Sequence, residues 1–211
     1  MKIQSFWGTQ SSITEHCEKC GLYKKCTEPF TSYYGEGELE ILIVTGSPEG
    51  ARTTKSFTGK TIAALQEYFS EHGINLQKNA WKTAAVQCAT KKIKENNVLE
   101  CRHRVVELIH KLKPKIIIPV GATACSSVIG HMFEMSAVAT LCFRKIPVHE
   151  YNCWVMPVIN PSKFTTQNQR TYFSRLVKYI VREFKKDEPL VKVDPFKYVT
   201  VCSDYGTVVK E

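Results

Sequence analysis

Four short, uninterrupted apolar runs separated by helical patterns constrain the fold of this chain more than any other feature. They read "EILIVTG" (40–46), "KTAAVQC" (82–88), "KIIIPVG" (115–121) and "CWVMPVIN" (153–160). A strand with one wet face alternates polar and apolar residues, whereas a strand buried on both faces is apolar throughout. Between the runs, "GKTIAALQEYFSEHG" (59–73) sets Ile62, Leu65 and Phe69 on one helical face and stops at Gly73. "NVLECRHRVVELIHKLKP" (97–114) repeats the pattern with Leu99, Val105, Val106, Leu108 and Leu112, and ends before Pro114. "NQRTYFSRLVKYIVREFKK" (168–186) is an amphipathic helix whose outer face is rich in Lys and Arg. This alternation predicts an α/β domain, a parallel sheet covered by helices on both sides. Ligands of such sheets bind beyond the carboxyl ends of the strands. That is where "TGSPEG", "CATKK", "GATAC" and "NPSKF" fall.

A chain of 211 residues that is 43% hydrophobic can bury a real core, so its nine cysteines are not needed to staple a small fold. The opening residues show no charged n-region followed by an apolar stretch, and no run is long enough to cross a membrane. The expectation is an intracellular, cytoplasmic location, host cytoplasm if the protein is viral. Closely spaced cysteines in that reducing setting point to metal rather than disulfides. "CEKCGLYKKC" supplies Cys17, Cys20 and Cys26, while Cys88 follows the second run and Cys101 lies twelve intervening residues further on, in the next helix. Four thiolates can hold a zinc ion or a [4Fe–4S] cluster, and spacing does not choose between them. His16 and His103 neighbour these cysteines as outer residues. Cys125, Cys142, Cys153 and Cys202 sit in strand or core contexts as small buried hydrophobes.

The net charge of +9 favours a polyanionic partner, nucleic acid first. Arg52, Lys55, Lys91, Lys92, Lys94 and Lys163 all fall in strand-end loops, on one edge of the expected sheet, where together they form a phosphate-tracking face. Ser47 and Ser162 are candidate phosphate donors there, and "GATA" (121–124) opens a helix whose N-terminal amides can take another phosphate.

Six collinear blocks, "CEKCGLYKKC", "YYGEGELEILIVTGSPEG", "SFTGKTIAAL", "TAAVQC" followed by "LEC", "KLKPKIIIPVGATA" and "VINPSKF", resemble the iron–sulfur branch of the uracil-DNA glycosylase superfamily, usually called family 4. The resemblance spans about residues 14 to 185. It implies a three-layer α/β/α sandwich with a four-stranded parallel sheet, a [4Fe–4S] cluster on Cys17, Cys20, Cys88 and Cys101, and a DNA-binding face at the strand ends. Such an enzyme extrudes the target nucleotide, stacks its base, reads the base edge and stabilises the departing uracil. Phe57 matches the stacking phenylalanine, and Lys163 with Phe164 occupies the loop that enters the minor groove.

Other positions depart from the family pattern. Where the family carries an acidic residue at the end of the first strand, this chain has Gly46 or Ser47, with Glu49 nearby. Ala84 stands in place of the base-reading asparagine, and Asn160 in place of the histidine of a His-Pro-Ser motif. An Asn-Pro-Ser version occurs in the mismatch-specific branch, whose own asparagine in the first motif is absent here. The base pocket is therefore expected at Ser47, Phe57, Ala84 and Asn160, with Glu49 and Asn160 the remaining catalytic candidates.

The resulting expectation is a DNA-binding iron–sulfur protein on a glycosylase scaffold, acting in replication or repair without efficient uracil excision. An active glycosylase for uracil or a modified base is the alternative, and an RNA-binding or structural iron–sulfur protein the third. Residues 1–186 form the glycosylase-like domain. Beyond it, 187–211 reads as a linker and a strand, "YVTVCSD", which resembles the opening of a proofreading 3′–5′ exonuclease domain. Expected partners are DNA, replication proteins or a covalently linked phage-type polymerase, with no membrane.

Overall fold

The computed structural model of the protein describes residues 13–26, 29–48, 59–90, 92–186 and 190. Its strands are β1 (Ile41–Thr45), β2 (Ala80–Ala84), β3 (Ile116–Pro119), β4 (Ile146–Val148) and β5 (Cys153–Val155). The helices are α1 (Glu15–Cys20), α2 (Lys60–Ser70), α3 (Leu76–Asn79), α4 (Glu95–Leu112), α5 (Ala122–Ile129), α6 (Met135–Leu141) and α7 (Gln167–Lys185). One sheet runs in the order β2-β1-β3-β5-β4. All its pairings are parallel except β4 on β5.

The expected four-stranded parallel sheet is therefore corrected to a five-stranded mixed one. The added strand, "IPV", is short, carries Pro147 and belongs to no apolar run, so it gives little signal in the sequence. An edge strand tolerates proline because one of its sides has no ladder to complete. Pro147 sits opposite Trp154, and a 3₁₀ turn at His149–Tyr151 with Asn152 at φ 50° closes the hairpin. A second adjustment concerns β2, which stops at Ala84. Ala85 and Val86 stay buried beyond it, so the apolar run outlasts the strand.

Alternate residues of β1 feed two cores, as the period of two requires. Ile41 and Ile43 meet Ile62, Leu65 and Phe69 of α2 and Phe173, Leu176, Val177 and Ile180 of α7. Leu42 and Val44 point the other way, onto Val105 and Ile109 of α4 and Ala124 and Val128 of α5. These are the two outer layers of the expected sandwich. The start of α7 is fixed by a reciprocal cap: Thr166 Oγ1 accepts from Gln169 N at 3.3 Å, and Gln169 Oε1 accepts from Thr166 N at 3.1 Å. The free edge of β2 is covered by the 33–40 segment through a Tyr34 to Lys82 bridge. Gly37, at φ 71°, lies where any Cβ would strike the Trp81 ring.

That bridge holds a buried cation. Lys82 is 2% exposed; its Nζ donates to Leu76 O at 3.1 Å and Gln77 Oε1 at 2.9 Å, and lies 5.4 Å from the Tyr34 ring centre. No carboxylate among the described residues pairs with it, and burial pulls its pKa down to about 8 from the usual 10.5. Below pH 8 both folded and unfolded chains carry the proton. Between pH 8 and 10.5 the unfolded chain alone holds it, so stability rises with pH across that window. The contribution is on the order of 1–3 kcal/mol. Urea midpoints measured from about pH 7 to 10 should climb more in the natural chain than in Lys82→Met; parallel curves would show that Lys82 is not the source.

Candidate functional site

The cysteine arm comes first, because α1 has no buried residue of its own. Six residues of isolated helix do not persist in water. What joins α1 to α4 is a set of hydrogen bonds to sulfur together with a histidine pair. Asn97 Nδ2 donates to Cys20 Sγ at 3.2 Å, and Arg104 Nη2 donates to Cys17 Sγ at 3.3 Å. Thr14 Oγ1 lies 3.4 Å from the same Cys17 Sγ, and the backbone N–H of Gln87 donates to Cys101 Sγ at 3.4 Å. His16 Nδ1 meets Glu100 at 2.8 Å and its ring stacks on His103, 4.5 Å away.

Cys17, Cys20, Cys88 and Cys101 line one partly open cavity of about 20 Å³, walled by Tyr23, Phe30 and Val86. Among the described residues no three Cys, His, Asp or Glu side chains converge closely enough to hold a single metal ion. The donor chemistry fits a cluster: N–H and O–H groups aimed at Cys17, Cys20 and Cys101 are what sulfur ligands of an iron–sulfur centre receive. Burial opposes ionisation of Cys17, yet the Thr14 and Arg104 hydrogen bonds and the Arg104 charge hold it below the ordinary thiol value. Burial pushes Cys88 up and Cys101 up to about 11. Cys26 also neighbours Cys88 without lining the cavity. Cys125, Cys142 and Cys153 are buried, as read from their contexts, and all eight described cysteines are free. Sequence reasoning missed Asn97 and Arg104. The available signal was an asparagine three residues into α4, where its Oδ1 also accepts Lys94 N at 2.9 Å and fixes the helix start.

The second feature is the surface at the strand carboxyl ends. Thr45 O and Gly46 O accept from Ala85 N and Val86 N, so the loops after β1 and β2 continue the ladder. Ser47 Oγ donates to Thr90 O at 3.2 Å and ties the two loops together. Across the sheet, Asn160 Oδ1 accepts from Ser162 N at 3.0 Å and Ser162 Oγ at 2.8 Å, while its Nδ2 contacts Thr61 Oγ1 at 3.1 Å. Asn160 thus builds a turn and reaches the first turn of α2. One amide hydrogen is left for an outside acceptor. Both serines already spend their hydroxyl hydrogens internally.

Ala84 is wholly buried at the end of β2. Phe164 turns inward, edge-on to Phe173 at 5.5 Å, so the exposed member of that loop is Lys163. Lys92 and Lys94 are exposed too, and none of the three lysines has a carboxylate partner among the described residues. Lys92 follows β2 and Lys163 follows β5, at opposite ends of four parallel strands. Three strand spacings, about 14 Å, separate those positions across the sheet. Glu49, Arg52, Lys55, Phe57 and Lys91 lie outside the described residues, as does Cys202.

A mostly parallel sheet, helices on both faces and polar loops gathered at the strand ends can be compared with known families. The uracil DNA glycosylase superfamily model matches residues 32–183, more than two-thirds of the chain. The chain belongs to that superfamily. Cys88, Cys101, Ala84 and Asn160 fall within the matched superfamily region, whereas Cys17 and Cys20 precede it. No curated protein matches the chain. None of the described helices is long and apolar enough to cross a membrane.

Proposed function

We propose that the protein is a DNA-binding member of the uracil DNA glycosylase superfamily that has lost efficient uracil excision and serves replication or repair. The observation that carries this reading is the composition of the described strand-end loops. They present Lys92, Lys94 and Lys163 and contain no Asp or Glu from 46–48, 85–90, 92–94 or 159–164. Water activation in this superfamily needs a base within reach of the sugar. Asn160 offers a neutral amide, which can hydrogen-bond a leaving group but cannot carry its charge. A buried methyl group at Ala84 cannot read a base edge. Phosphate contact needs only the lysines and backbone amides. Cys17, Cys20, Cys88 and Cys101 would hold a [4Fe–4S] cluster, whose contribution when bound is to pin α1 against α4. The likeness of 187–211 to the opening of an exonuclease domain supports a place in replication.

Binding of labelled single- and double-stranded DNA should weaken steeply as salt rises. Removing Lys92 and Lys163 together should lower the duplex salt slope by roughly 0.9 for each phosphate no longer neutralised. An unchanged slope would place the DNA face elsewhere, and tighter binding of RNA than of DNA at matched length would favour the RNA reading.

A further inference from the structure

A groove of about 570 Å³ opens along α7, away from the strand-end loops. Because α7 starts at those loops, Arg175 lies about 12 Å and Lys185 about 27 Å down its axis. The walls are Phe143, Arg175, Lys178, Tyr179, Arg182 and Lys185. His72 closes one side, and its Nε2 is shielded from water with no hydrogen-bond partner among the described residues.

Charge and aromatic surface alternate here. Tyr172, Arg175, Tyr179 and Arg182 recur every three or four residues, and with Lys178 and Lys185 alongside them they share one side of the helix. Arg175, Lys178 and Lys185 have no carboxylate partner among the described residues, while Arg182 shares the buried Glu183 with Lys186. Arg182 also covers the Tyr179 ring at 5.4 Å. Phe143 stands on a left-handed backbone, φ 60°, a conformation a bulky side chain adopts only where its surroundings enforce it. That backbone turns the ring outward, 36% exposed, against Tyr172 at 5.3 Å and Tyr179 at 5.7 Å. Tyr172 is equally exposed. Tyr179 packs against the sheet core, but Phe143 and Tyr172 are not part of it; α7 completes that core with Phe173, Leu176, Val177 and Ile180 on its other side.

We propose that this groove binds a single strand of nucleic acid, bases stacking on Phe143 in its wall and on Tyr172 at its margin, and phosphates meeting Arg175, Lys178 and Lys185. A basic groove combined with exposed aromatic rings is the physical requirement for sequence-tolerant single-strand binding. Duplex does not suit it, because α7 lies flat on the core and cannot enter a major groove as a protruding helix would. The stretch from Tyr172 to Lys185 is about 20 Å long, enough for a strand segment near the short end of known site sizes, about four nucleotides. The inference rests on the DNA-binding reading for its class of ligand, and adds a second contact remote from the strand ends.

The test uses the full chain, labelled oligothymidylate and oligouridylate as single-strand probes, and duplex DNA as the reference. Arg175→Glu with Lys178→Glu should weaken single-strand binding at least tenfold and lower its salt slope by about 0.7 for each phosphate no longer neutralised. Phe143→Ser with Tyr172→Ser should weaken it about tenfold with the slope unchanged, since stacking is not an ionic contact. Duplex binding should be unaltered by either pair, and circular dichroism melting keeps misfolded variants out of the comparison. Loss of single-strand binding only in Lys92→Ala/Lys163→Ala would overturn the groove while sustaining the strand-end reading; loss only in the α7 variants would sustain the groove, and the duplex salt slope of the lysine variant then decides the strand-end reading separately. Equal displacement of the oligonucleotide by polyglutamate of matched charge would overturn the groove as a nucleic-acid site.

Discussion

Purified without oxygen, the protein is expected to be brown and to carry about four irons per chain. The expectation rests on the poverty of α1, six residues with none buried, joined to α4 by Asn97 and Arg104 through sulfur atoms. Without a bound group, the arm is held by a few partly exposed hydrogen bonds, each of which contributes about 0.5–1.5 kcal/mol net, and by the His16 contacts to Glu100 and the His103 ring. Replacing Cys101 with serine should therefore abolish the brown colour and iron content and release the arm. The sheet, whose two cores lie elsewhere, should survive. Hydrogen exchange would show this as fast amides across 13–26 with strand amides still protected. Truncating Arg104 or Asn97 should have the milder effect of an outer-shell change, about 10–100-fold in cluster retention. Stoichiometric zinc in place of iron would establish the other cofactor that four thiolates can hold. An arm equally protected with and without chelator would mean that it needs no metal.

Uracil excision by the unaltered protein is expected to stay near background on both single- and double-stranded substrates. Losing a positioned acid or base typically lowers rates about 10²–10⁴-fold. Losing one charge-stabilising donor costs about 2.7–4 kcal/mol. These effects are not additive, but either one alone leaves a poor enzyme. Restoring the missing groups is constrained by what now occupies their places. Ala84→Asn inserts an amide into a fully buried site and, if unpartnered there, should destabilise by about 1–3 kcal/mol. Asn160→His removes the Oδ1 acceptor that fixes Ser162. The double variant should regain activity only if Phe57 still provides the stacking wall. Alkali cleavage of uracil-containing oligonucleotides reads the outcome directly. Efficient excision abolished by Glu49→Gln would show that Glu49 has taken over water activation.

How far the sequence alone reached follows from the range of the forces involved. Continuous apolar runs and helical periods are local signals, and they placed β1, β3, α2, α4 and α7 to within a few residues. The runs at 82–88 and 153–160 located their strands but not their limits, because burial continues where pairing stops: Val86 is buried though β2 ends at Ala84. The motif order carried the superfamily, and with it the gathering of four distant polar loops at one end of a sheet. Tertiary structure decided the rest. Pro147 becomes part of a strand only because Trp154 lies opposite it on an edge. Asn97 and Arg104 look like ordinary helical residues until α1 sets Cys20 and Cys17 beside them. Phe164 reads as a free loop tip in the sequence and is a packing residue once Phe173 is beneath it. The α7 groove needs Phe143, some thirty positions upstream, to turn outward on a left-handed backbone. Periodicity reports which face of an element is apolar; only the assembled chain determines which polar atoms meet, because hydrogen bonds and ring contacts act over a few ångströms between residues the sequence keeps far apart.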